Sequence, residues 1–132
     1  MKAVRVGFFL LLAPGLTSCG ETEPPLDPLG AEVYETHCLQ CHQAEGTGVP
    51  NMQPSLVGSK KALSDAPALI SFTLKGSADL DPSETIYTNV MPGYDFLSDS
   101  ELAAVLSYIR QSFGNDAPPI READVAAARA QP

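Results

Sequence analysis

Apolar residues in this chain recur at helical spacing, and nowhere do they alternate as in a half-buried strand. The clearest stripe is Leu102, Val105, Leu106 and Ile109, at i, i+3, i+4 and i+7. Ser98 and Glu101 stand ahead of it in capping-box spacing, and Gly114 is the stop signal after it, so the last main helix is predicted there. An earlier helix is predicted over Ser64 to Lys75. Ser64 or Asp65 caps it, Pro67 suits its first turn, Leu69, Ile70, Phe72 and Leu74 supply apolar surface, and Gly76 ends it. Gly30 to Cys38 is a shorter helical candidate. Ile120 to Ala130, after Pro118-Pro119, fits one more short helix with Val125 touching the body. Gln43 to Lys61 is rich in Gly, Pro, Asn and Ser and reads as loop. Ser77 to Pro92 reads mainly as loop, with one helical turn around Glu84 to Tyr87. The fold class is therefore all-α, three to five helices joined by long loops. Such loops are hard to justify around a small protein core alone, so another apolar mass is needed at the centre. No repeat, Gly-rich phosphate loop or Ser/His/Asp set accompanies this pattern.

The N-terminus follows a different pattern. Lys2 and Arg5 precede a nearly unbroken apolar run from Val6 to Leu12, extended by Ala13 and Leu16. This reads as a secretory signal over residues 1–18, too short for a membrane span. It ends at Leu16-Thr17-Ser18-Cys19, which resembles the lipobox of bacterial lipoproteins, in which the Cys receives the lipid and becomes the new N-terminus. The alternative is an ordinary signal that leaves Cys19 as an odd free thiol, a liability in an exported protein. Lipidation of Cys19 leaves no cysteine unexplained, and several acyl chains make a stable anchor. Residues 19–29, with three prolines and three acids between Glu21 and Leu29, read as anchor and flexible linker. Residues 30–114 form the one domain, and residues 115–132 a tail. The expected location is the periplasmic side of a bacterial membrane.

Charge narrows the partners. Removing the signal takes away two of the eight basic residues and none of the sixteen acids, leaving a formal charge near −10. Phosphate binding needs clustered positive charge, so nucleic acid is a poor partner. Proteins with basic docking surfaces suit this chain, in association that weakens as salt rises.

The chemistry is concentrated in Cys38-Leu39-Gln40-Cys41-His42. Cys-x-x-Cys-His is the pattern by which a c-type haem is attached. Two thiols three positions apart can each add to one vinyl group of a porphyrin, and His42 then lies beneath the iron. A structural zinc site would want a second pair of ligands, and the one other His is His37, crowded against the motif. A thioredoxin-like pair expects a βαβ context, which is missing. A haem also supplies the apolar mass that the loops require. Its second axial ligand has four kinds of candidate: Met52, Met91, His37 and the lysines. Met52 follows His42 by only ten residues, in a loop expected on the same side of the ring, and His37 has little freedom to reach the other. Met91 sits in Asn89-Val90-Met91-Pro92-Gly93, a loop able to carry a thioether across the opposite face.

These features together resemble a class I monohaem cytochrome c over about Gly30 to Gly114. Gly30 and Tyr34 precede Cys38 by eight and four residues, as in the pair that crosses the C-terminal helix in that family, and Val105 and Tyr108 fall where its crossing partners stand. Pro54-Ser55-Leu56 follows His42 at the distance of the family's proximal loop, and Met91 stands seventeen residues before Tyr108, as the axial Met does. The resemblance implies a cytochrome c fold around one covalent haem c. It also implies His42 and Met91 on the iron, the Pro54 carbonyl accepting from His42, and Leu56 on the proximal face. The chain has no Trp, which some members use near a propionate; Asn89 and Tyr87 are the candidates here, and Lys60-Lys61 matches nothing diagnostic. The implied function is outer-sphere electron transfer at a membrane surface, as a carrier with no catalysis of its own. The alternatives are a fixed cytochrome subunit of a periplasmic dehydrogenase or oxidase and, less favoured for want of distal acid–base residues, a gas sensor or peroxidase.

Overall fold

The computed structural model describes residues 27–131 except 82 and 84. The signal segment, Cys19 and most of the proline-rich stretch lie outside the described residues. Among those described there are five α-helices and no strand, only an isolated antiparallel bridge between Val49 and Gln53. The all-α expectation holds.

Helix α1 spans Pro28–His37 and begins two residues ahead of the expected Gly30. Asp27 caps it by accepting from the Leu29 N–H at 2.9 Å, and Pro28 loses nothing in the first turn, where its missing N–H would have had no partner. A short turn, α2 (Leu39–His42), follows directly. Helix α3 (Ala66–Lys75) is capped by Asp65, whose carboxylate accepts from Ala68 N–H, and Gly76 stops it at φ 75°. Helix α4 (Asp99–Gln111) carries the reciprocal capping box: Ser98 Oγ accepts from Glu101 N–H, and Glu101 accepts from Ser98 N–H. Its stripe of Leu102, Val105, Leu106 and Ile109 is buried. Helix α5 (Glu122–Arg129) lies on α3 and α4 with Val125 fully buried.

Two expectations shift. Helix α4 ends at Gln111, before Gly114. The Asn115 amide donates to the Ile109 carbonyl at 2.8 Å and Ala117 N–H to the Arg110 carbonyl, so groups beyond the helix satisfy its last acceptors. Phe113 and Gly114 then turn the chain with φ of 59° and 75°. The second concerns the turn expected around Glu84 to Tyr87. Residues 85–87 are irregular, and Glu84 lies outside the described residues. Next to them the backbone pairs elsewhere: Thr88 and Asn89 N–H donate to the Asn51 and Met52 carbonyls.

The crossing of α1 and α4 organises the molecule. A Cβ at Gly30 would run into the Ala104 carbonyl and lie 2.9 Å from Tyr108 Cβ, so only glycine lets the helices approach this closely. Tyr34 packs 5.4 Å, ring to ring, from both Tyr108 and Phe113. Gly30→Ala is expected to cost about 2–3 kcal/mol by overpacking. Chemical denaturation of the holoprotein checks this; an unchanged midpoint would mean that the crossing relaxes at no cost.

Candidate functional site

Between α3, α4 and the two long loops lies one cavity of about 540 Å³. All six residues singled out in the sequence for this site, Cys38, Cys41, His42, Pro54, Leu56 and Met91, line it. Leu69, Phe72, Val105, Leu106 and Ile109 give it apolar walls.

Helix α2 sets the first three side chains. Cys41 and His42 N–H both donate to the Cys38 carbonyl, at 3.2 and 2.9 Å, and this single turn puts the two thiols on one face. Gln43 reverses the chain at φ 65°, and its carbonyl accepts from the Tyr34 hydroxyl at 2.7 Å. The α1–α4 crossing is thereby tied to the motif. Burial pushes the Cys38 thiol up to about 12, with the neighbouring Cys41 adding to the effect. Reactive dithiol pairs work through a depressed pKa, and the burial of Cys38 acts in the other direction. Burial also pulls the His42 pKa down, against the opposing hydrogen bond to Pro54. His42 Nδ1 lies 3.0 Å from the Pro54 carbonyl, which can only accept. Nδ1 is therefore the protonated nitrogen and Nε2 keeps its lone pair.

Met91 is held by its backbone. Its N–H donates to Ser77 Oγ at 2.8 Å, and its carbonyl accepts from Ser77 N–H at 2.9 Å. Two glycines let this loop lie on the end of α3. A Cβ at Gly76 would meet the Met91 carbonyl and lie 2.6 Å from the Pro92 carbonyl carbon, and one at Gly93 would lie 2.6 Å from the Leu74 oxygen. Tyr94 N–H then donates to the Thr73 carbonyl, and the Tyr94 hydroxyl to the His37 carbonyl at 2.8 Å. Ser77 and Tyr94 were not singled out in the sequence; the signal for them is the Gly76/Gly93 pair flanking the Met.

The rival axial candidates separate. Met52 is exposed and His37 packs against Tyr94 and Phe96, and neither lines the cavity. Lys60 and Lys61 do line it, with the Lys61 ammonium 4.6 Å from the Phe72 ring centre. Tyr87 and Asn89 line it too. Among the described residues no three His, Cys, Asp or Glu side chains are grouped closely enough to hold one metal ion.

The donor set fits a c-type haem: two adjacent thiols, an imidazole with a fixed tautomer, and a thioether, all on one apolar cavity. One further observation agrees. Gln53 Oε1 is the one buried side-chain polar atom among the described residues that has no partner, and Gln53 lines the cavity. A primary amide can turn either its oxygen or its NH₂ toward a carboxyl group, and a haem carries two.

Comparison with known proteins points the same way. The family model for cytochrome c matches residues 29–113. The cytochrome c subunit of the quinone alcohol dehydrogenase of Gluconobacter oxydans (strain 621H) is 38% identical over 91 residues, which cover 67% of this chain and 19% of that subunit. The corresponding subunit of Komagataeibacter europaeus is 36% identical over 99 residues, 73% of this chain and 21% of its own length. The chain thus spans about a fifth of these relatives. Cytochrome c-552 of Thermus thermophilus is 32% identical over 91 residues, covering 65% of this chain and 69% of that protein.

Proposed function

The chain belongs to the cytochrome c family, and from that premise we propose that it is a lipid-tethered electron carrier serving a dehydrogenase on the periplasmic side of a bacterial membrane. When bound, the haem c supplies reversible one-electron exchange between Fe(III) and Fe(II). The observation that carries the site assignment is the convergence of Cys38, Cys41, His42 and Met91 on one cavity.

Each side chain then has a role. Cys38 and Cys41 hold the haem through thioethers. His42 Nε2 and the Met91 sulfur would bind the iron, and a soft thioether favours the reduced metal more than a second imidazole does. The Pro54 carbonyl holds the His42 ring in one tautomer and orientation. Leu56 packs on the proximal side, while Leu69, Leu106 and Ile109 keep water out. Residues 91–94, fixed at Ser77, Thr73 and His37, resist movement of Met91 as charge comes and goes. With His42 and Met91 both on the iron, no position would be left for a substrate, which argues against the sensor and peroxidase readings.

Cys19 carries the lipid in this account, and the proline-rich segment after it gives the domain reach. The acidic surface suits a partner with a basic docking face. A second reading, a fixed subunit of a dehydrogenase complex, draws support from the dehydrogenase subunits among the relatives. Ile86 and Phe96 add to it, being 77% and 65% exposed. One preparation of the full-length chain made in a bacterium tests both. Its mature N-terminal peptide should start at acylated Cys19; an unacylated start elsewhere refutes the anchor. Reduction by a quinone-dependent dehydrogenase should slow steadily as salt rises. A salt-insensitive rate contradicts charge-guided docking, and a complex that survives purification favours the fixed subunit.

A further inference from the structure

We propose that Arg129, at the end of α5, is a positioning residue for the Met91 loop, acting from outside the segment that matches the cytochrome c family. From Met91 to Ser98 the chain has no regular structure, so its shape depends on what grips it. Three grips come from the matched segment: Ser77 on Met91, Thr73 on the Tyr94 N–H, and the His37 carbonyl on the Tyr94 hydroxyl. On residues 95–97 the only hydrogen bonds from outside the loop, among the described residues, come from Arg129. Its Nη1 donates to the Asp95 carbonyl at 2.9 Å, Nη2 to the Leu97 carbonyl, and Nε to Asp99 Oδ1 at 2.8 Å.

Leu97 is buried and lines the cavity, so fixing its carbonyl fixes one wall of the site. The guanidinium bridges carbonyls two residues apart and the first carboxylate of α4 at once, which requires a planar fork with several donors. Fastening α5 to the body does not require this. Fully buried Val125 and nearly buried Ile120 do that with apolar contact, and Ile120 N–H adds a bond to Ser107 Oγ. The distinctive use of Arg129 is therefore on the loop.

The inference rests on Met91 as an axial ligand, and the experiment keeps the two apart. Holoprotein is compared as wild type, Arg129→Ala, Arg129→Lys and Asp99→Asn. The readouts are amide hydrogen exchange in residues 91–98 and in α4, the weak red band of a Met–Fe(III) bond, and the affinity of the ferric protein for added imidazole. In Arg129→Ala, exchange in 91–98 and imidazole affinity should each rise about tenfold, with α4 unchanged. Lysine should fail to restore either, because it cannot span both carbonyls, and Asp99→Asn should have a small effect because a half-exposed ion pair contributes little. A wild-type red band with loop exchange and imidazole affinity within twofold in Arg129→Ala overturns the proposal. So does full rescue by lysine, which would reduce the role to charge. A wild-type protein without the red band refutes Met91 ligation, and loop exchange in Arg129→Ala still decides the grip.

Discussion

Deprived of its haem, the polypeptide is expected to be largely unfolded. The cavity of about 540 Å³ sits where α3, α4 and both long loops would otherwise have to meet. At roughly 24 cal/mol per Å³, leaving that space open would cost on the order of 13 kcal/mol. A domain of this size has only about 5–15 kcal/mol of stability in total. The core residues Leu69, Val105, Leu106 and Ile109 all line the cavity, so each loses contacts on that side. Replacing Cys38 and Cys41 with Ala and extracting the haem gives the test species. Far-UV circular dichroism should show most helix lost, with no cooperative thermal transition. An apoprotein that keeps native helix content and melts cooperatively would mean that the loops collapse into the space.

The second large effect concerns Met91. On the proposed ligation, Met91→Ala should lower the reduction potential by a few tenths of a volt, inside the ~0.8 V range that axial ligation covers. It should also let the ferrous protein bind carbon monoxide, which the native protein should not. Stability should fall far less than in the first case. Ser77 clasps the backbone of residue 91, and Gly76 and Gly93 set the loop against α3, whatever side chain residue 91 carries. Redox titration and carbon monoxide difference spectra check this. A variant with native potential and no carbon monoxide binding would remove Met91 from the metal.

Much of the fold is written locally. Asp65, Ser98 with Glu101, and Gly76 are capping signals whose partners lie within four residues, so helix starts and stops follow from sequence. The Cys-x-x-Cys-His motif is equally local, and its environment on one helical turn needs no tertiary information. What was not legible depends on contacts across the chain. Helix α4 stops at Gln111 because Asn115 reaches back to Ile109 and across to the Leu56 carbonyl, 59 residues away. The stretch 85–87 forgoes a helical turn while its neighbours pair with residues 51 and 52. Nothing local in the sequence sets Arg110 apart from the other polar residues of α4. It is buried, donating to the Ala62, Ser64 and Pro118 carbonyls, and so binds the tail and the loop before α3 to α4. The Ser77 and Arg129 grips on the Met91 loop belong to the same class. Irregular chain is positioned by distant donors, and no periodicity announces them.

The most direct test is the visible spectrum of the ferric and ferrous full-length protein at neutral pH. A low-spin c-type spectrum is expected in both states, with the weak red band of a Met–Fe(III) bond when oxidised and no change under carbon monoxide when reduced. A high-spin ferric spectrum with ready carbon monoxide binding would contradict it. The metal would then have an open position, and electron transfer could not be the sole function.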